Sequence, residues 1–209
     1  MEFIAPMRNE SFRPPVTLEG RFVRLVPFSS DHRLPLHEVS RDPEVSRYIL
    51  HGPGTTLAEM DALFRLLESG QQAGTDLPFT TLSAADARPV GMTRFLHIDR
   101  ANDSVEIGGT WLGRPYWRTP FNTEAKFLMM RHAFEVEGAH RVSLQTDLRN
   151  ERSQRAIERL GAVREAVLRE DRLLPNGYYR SSVFYSVLRG EWPSVRRGLE
   201  EKLARPWPV

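Results

Sequence analysis

Glu106-Ile-Gly-Gly-Thr-Trp-Leu-Gly-Arg-Pro-Tyr-Trp-Arg-Thr-Pro-Phe-Asn-Thr-Glu-Ala-Lys126 begins as a strand, passes through a polar loop and ends as the start of a helix. Period-two alternation puts Glu106 on one strand face with Gly108 and Thr110, unless the two glycines mark a bulge that rotates the register and opens the strand edge. From Asn122 to Glu137 the apolar positions Ala125, Phe127, Leu128, Met129, Ala133, Phe134 and Val136 fit an amphipathic helix that stops at Gly138. A helix N-terminus gathers unpaired N–H groups and a partial charge of roughly +0.5, so it favours anions. Arg118, Thr119, Asn122 and Thr123 add polar donors there, which suits a phosphorylated ligand. The plainer reading is that Asn122 or Thr119 caps the helix while Glu124 completes its first turn. The loop taken alone leaves both open.

Working outward, Val142 to Leu148 reads as the next strand and Asn150 to Leu160 as a helix closed by Gly161. Val163 to Leu168 and Tyr178 to Leu188 read as a hairpin around Pro175-Asn-Gly177, and Ser194 to Ala204 as a peripheral amphipathic helix. Upstream, Leu77 to Ala85, Val90 to Ile98 and Val105 to Leu112 are three strand patterns joined by turns short enough for an antiparallel meander. Ser29 to about Gly70 is helical, with Leu57, Met60, Leu63, Phe64 and Leu67 on one stripe. Val16 to Phe28, broken at Glu19-Gly20, opens the sheet as a strand pair or bent strand. The order predicts an α+β fold with one strand–helix–strand unit inside an otherwise antiparallel sheet. We expect residues 1–15 as a tail, 16–192 as one domain, and 193–209 as a C-terminal helix and tail.

The 209 residues are 40% hydrophobic, enough for one good core. No apolar run approaches the roughly 18 residues that span a bilayer, and Met1 to Pro15 lacks a signal pattern, so a soluble, cytoplasmic protein is expected. The chain has no Cys, which excludes disulfides, thiolate metal sites and a Cys nucleophile. The six His residues show no ligand-like spacing, so no metal is expected. With 29 basic against 27 acidic residues there is no basic block to bind nucleic acid. Lys126 and Lys202 are the only lysines, so nearly all positive charge is Arg.

Glu106-Ile-Gly with Trp111-Leu112, then Tyr116-Trp117, Asn122 to Lys126, His140-Arg-Val142, Asn150 with Ser153, and Arg159-Leu-Gly-Ala162 together resemble the GNAT superfamily of N-acetyltransferases. The branch is the one similar to ribosomal-protein N-terminal acetyltransferases, and the resemblance runs from about Val16 to Trp192. It implies a mixed, mostly antiparallel sheet of about seven strands, flanked by helices and splayed between two parallel central strands, with acetyl-CoA in the split. It also implies that the edge of Glu106 to Leu112, including Trp111 and Leu112, pairs with the pantetheine arm. Arg118, Thr119, Phe121, Asn122 and Thr123 would then meet the pyrophosphate, and Asn150 and Ser153 the arm and thioester. The family's loop has Gly where this chain has Arg118 and Pro120, and Pro cannot donate an N–H.

The chemistry implied is acetyl transfer to a primary amine, a protein N-terminal α-amine or a small molecule, with both substrates bound. Glu106 matches the family's base, with His97 and Asp99 as alternatives. The family's common acid is a Tyr absent from Asn150 to Gly161; Ser153 is the nearest substitute and resembles the serine proposed as proton donor in the N-terminal-acetylating branch, the alternative being a helical Ser that only bonds its own backbone. Tyr178 and Tyr179 at the hairpin either line the acceptor site or serve the strand. Transfer of a larger acyl group such as succinyl, a non-catalytic acyl-CoA-binding module, and a homodimer are the further expectations.

Overall fold

The computed structural model describes residues 7, 11–174 and 177–207; the hairpin-tip residues Pro175 and Asn176 lie outside them. Eight strands form one sheet, β1 (Leu18–Glu19), β2 (Val23–Pro27), β3 (Leu77–Ser83), β4 (Pro89–Asp99), β5 (Ser104–Leu112), β6 (Arg141–Asp147), β7 (Val163–Leu173) and β8 (Tyr179–Leu188), in the order β1-β2-β3-β4-β5-β6-β8-β7. The helices are α1 (Arg33–Ser40), α2 (Pro43–Ser46), α3 (Leu57–Gln72), α4 (Phe121–Arg131), α5 (Glu151–Arg159) and α6 (Trp192–Ala204). Every neighbouring pair is antiparallel except β5 and β6. The parallel pair needs a crossover, which α4 supplies.

The two faces of the sheet bury different clusters. Met92 and Trp111, paired across β4 and β5, pack with Leu36, Met60, Leu63 and Phe64 of α1 and α3. Phe95 and Ile107, also paired and on the opposite face, join Met129, Ala133, Phe134 and Tyr185 in the main core. α3 is nucleated by a capping box in which the Thr56 hydroxyl accepts from Glu59 N while the Glu59 carboxylate accepts from Thr56 N.

α4 passes into a π-helical turn over His132–Val136, so the single helix expected there changes pitch near its end. α6 is less peripheral than its polar composition suggests. Its Trp192 and Leu199 are buried, and the Trp192 ring stacks on Phe134 at 5.3 Å. Ahead of the first strand, Met7 and Phe12 are also buried in the main core.

The sheet opens in one place. β5 and β6 are paired at Ser104↔Arg141, Val105↔Val142 and Glu106↔Ser143, and no further. Beyond Glu106 the remaining six residues of β5 diverge from β6, leaving a split in the sheet.

Candidate active site

Glu106 stands at the apex of the split and is only 7% exposed. Its carboxylate accepts from Gln145 Nε2 at 3.0 and 3.1 Å, and His97 Nδ1 lies 3.0 Å from Oε2. Gln145 reaches it because period-two alternation from Ser143, the register partner of Glu106, returns β6 to the same face. His97 reaches it through a bulge in β4, where residues 97 and 98 oppose the single residue Val105 and His97 adopts φ 50°. The hydrogen bond to Glu106 raises the His97 pKa above its ordinary value against the opposing effect of burial. The His97 side chain is 63% exposed, so it joins a nearly buried carboxylate to solvent. Asp99 does something different, accepting from Ala101 and Asn102 to hold the β4–β5 turn.

A second bulge lies in β5 itself. Arg94 pairs with Gly108 and Met92 with Trp111, so Gly109 and Thr110 together oppose Thr93. Gly109 has φ +56°, and a Cβ there would come within 2.8 Å of Arg94 Nε, so the position requires glycine. Period two therefore holds from Glu106 to Gly108, where a Cβ would sit 3.0 Å from Glu106 Oε1, and is reset afterwards. Beneath this bulge lies Lys126, 4% exposed, whose Nζ donates to Thr93 Oγ1 at 2.9 Å and to Thr110 Oγ1. Thr93 and Thr110 hydroxyls are 2.8 Å apart, and Thr110 also reaches Gly108 O at 3.4 Å. Burial alone lowers the Lys126 pKa to about 7.

The loop into α4 takes a path that glycine would normally take. Arg118 has φ 62°, in the left-handed region that costs a residue with a Cβ roughly 1 kcal/mol or more. The Thr119 hydroxyl donates to Tyr116 O at 2.7 Å and accepts a long bond of 3.4 Å from Phe121 N, and Phe121 stacks on Tyr116. Pro120 is the N-cap residue and no side chain caps the helix. Asn122 therefore does not cap, and Glu124 does not close the first turn. Glu124 points instead to the β1–β2 turn, where its carboxylate accepts from Arg21, Phe22 and Val23 N at 2.6 to 2.8 Å, with Gly20 leaving room for it. Helix geometry leaves the Asn122 and Thr123 N–H groups without an intrahelical acceptor.

Across the split, Asn150 is the N-cap of α5, its Oδ1 accepting from Ser153 N at 3.1 Å. Ser153 is half-buried in the first turn. One residue earlier, Arg152 lies 3.5 Å above the Trp117 ring and feels the charges of Arg114 and Arg118. Three guanidinium groups thus gather at the loop that precedes α4. Of the remaining candidates, Trp111 is buried under α1 and α3, Leu112 O accepts from Trp117 Nε1 at 2.8 Å, and the Tyr178 ring lies 3.6 Å from Arg149. Tyr179 is exposed at the start of β8. Sequence reasoning missed Gln145, Lys126 and Arg152; the only signal for Lys126 was that it is one of two lysines in the chain.

Solved acetyltransferases share this overall fold. A GCN5-related N-acetyltransferase from Brucella melitensis superimposes with a TM-score of 0.82 at 30% identity, over 94% of this chain and 90% of that one. A "putative acetyltransferase" from T. thermophilus gives 0.82 at 40% identity, over 90% and 97%. Mycobacterium smegmatis RimJ, solved in complex with CoA-disulfide, shares the fold with a TM-score of 0.79 at 18% identity, over 92% and 98%. The chain belongs to the acetyltransferase (GNAT) domain family, whose model matches residues 23–163. Among curated proteins, "Putative ribosomal N-acetyltransferase YdaF" of Bacillus subtilis (strain 168) is 32% identical over 107 residues, 51% of this chain and 57% of that protein. The match thus spans little more than half the length of that relative. No helix among the described residues is long and apolar enough to cross a membrane, and none of their acidic and His side chains cluster as a metal site.

Proposed function

We propose that this chain is an acetyl-CoA-dependent N-acetyltransferase that acetylates a primary amine, on a protein N-terminus or a small molecule, by direct transfer with both substrates bound. The observation that carries the reading is the nearly buried carboxylate of Glu106 at the apex of the β5–β6 split, where the two parallel strands part. Family membership and the names of the relatives support acetyl as the group transferred.

The residues present fit the CoA group. Asn122 and Thr123 N–H groups with the Arg118 guanidinium suit a diphosphate, charge-assisted bonds being about twice as strong as neutral ones, and Phe121 N–H joins them only by leaving its long bond to Thr119. Pro120 contributes no N–H, and the Thr119 hydroxyl is already committed to the loop. The edge of β5 up to Trp111 offers backbone groups to the pantetheine arm, while Leu112 O is held by Trp117 Nε1. Asn150, its Oδ1 engaged, still has an amide N–H to donate.

Bound acetyl-CoA supplies an acetyl thioester. Glu106 takes the proton of the incoming amine as its nitrogen bonds to the acetyl carbon and the carbon–sulfur bond breaks. His97 passes that proton towards solvent, and Ser153 relays a proton from solvent to the departing sulfur, its own hydroxyl being restored in the same step. Holding two reactants together is worth roughly 7 to 11 kcal/mol, and acid–base help about 10²- to 10⁴-fold, so orientation in the split is the larger effect.

Calorimetric titration with CoA, followed by mass spectrometry of an amine and peptide panel incubated with acetyl-CoA or succinyl-CoA, tests the reading. Binding heat, a raised Tm and acetylated product are expected. Absence of both heat and thermal shift at millimolar CoA overturns it. Binding without transfer identifies a non-catalytic module, and product with succinyl-CoA alone corrects the donor.

A further inference from the structure

We propose that Lys126 is a positioning residue of the transfer reaction, its amino group fixing the β5 bulge that shapes the cofactor edge of the split. This rests on reading the free edge of β5 as the place where the CoA arm lies.

The geometry is specific. Lys126 sits one turn into α4, and its Nζ bridges Thr93 of β4 and Thr110 of β5 at the point where two β5 residues oppose one of β4. Thr110 carries the bridge on to Gly108 O, so the network ties the bulge residue Thr110 and the neighbouring Gly108 to α4. The consequence reaches both substrates. A bulge decides which N–H and C=O groups of the following residues face the open edge and which face β4. At the other end of the network, a Cβ on Gly108 would come within 3.0 Å of Glu106 Oε1, so that position stays open beside the carboxylate.

Energetics separate this role from a structural one. Burying an amine without a carboxylate is unfavourable, and the hydrogen bonds of Lys126 among the described residues go to the two threonine hydroxyls. A methionine of similar length would fill the same space without that penalty, as replacement of buried ionic groups by apolar ones often shows. If Lys126 served only the fold, methionine would serve it as well or better.

The test is Lys126→Met beside the wild type, read by Tm, by calorimetric CoA affinity and by steady-state kinetics with acetyl-CoA varied. We expect Tm to hold or rise while kcat/KM for acetyl-CoA falls roughly tenfold or more, since small misplacement of reacting groups costs that much. Thr110→Val, which keeps the lysine and removes its partner, should reproduce the kinetic loss, and it decides the matter if the methionine variant does not fold. Wild-type kinetics in Thr110→Val, or in a folded Lys126→Met, overturn the proposal. A wild type that binds no CoA overturns the reading beneath it, and the proposal with it.

Discussion

Lys126 makes stability depend on pH in a direction that can be worked out. Its folded-state pKa, about 7, lies below its ordinary value of 10.5. Between those limits the unfolded chain binds a proton that the native chain does not, so stability rises as pH rises from about 7 towards 10.5. The rise is on the order of a few kcal/mol. Urea unfolding of wild type and Lys126→Met at about pH 7 and about pH 9.5 should show the stability gap between them narrowing with pH; a gap that stays constant contradicts the shifted lysine. Arg118 gives a second test, because its backbone and its charge point in opposite directions. Arg118→Gly should raise Tm through relief of roughly 1 kcal/mol of left-handed strain, while weakening CoA binding through loss of the guanidinium. A lowered Tm would show that φ 62° costs the arginine nothing. At this scale Glu106 was legible because it heads a short, unusual run, whereas Gln145 and Lys126 were not. Their partners lie 39 residues away, and 33 and 16 residues away, and come together only through strand register and helix packing.

Among the elements, α5 has the clearest dependence on one side chain. Its nine residues are strongly polar and bury only Ile157, so the cap supplied by Asn150 matters more than it would on a helix with a broad apolar face. Asn150→Ala should lower stability by about 1 kcal/mol, and should also raise KM for acetyl-CoA if the amide N–H reaches the pantetheine arm. Chemical denaturation and initial-rate kinetics on the same preparation separate the two effects. Unchanged stability would mean that the cap is dispensable. The β3–β4–β5 meander was readable because its turns are short and marked by Asp, Asn and Pro, and the helix after β5 because its apolar spacing is regular. The bulges were only half readable. Gly108-Gly109 announced one, but His97 and Arg118 adopt positive φ without being glycine, and nothing in a single sequence marks such residues. The depth of α6 was missed because two large buried residues, Trp192 and Leu199, anchor an otherwise polar helix.

The whole molecule is a sheet held closed by helices on both faces and left open along one seam. The α+β class followed from the order of elements. That β6 pairs in parallel with β5 for three residues and then parts from it is a matter of long-range packing, which local sequence patterns do not encode. The seam gives the fold its proposed chemistry, and Glu106 at its apex is the residue on which that chemistry turns. The most direct measurement compares acetyl transfer by wild type and Glu106→Gln from about pH 6 to 9, with CoA affinity measured alongside. If Glu106 takes the amine proton at the split, kcat/KM near pH 7 falls roughly 10²-fold or more, the deficit shrinks at high pH where the amine arrives deprotonated, and CoA affinity barely moves. A Glu106→Gln enzyme with a near-normal rate across that range would contradict the account and shift the proton's path to His97 or to water.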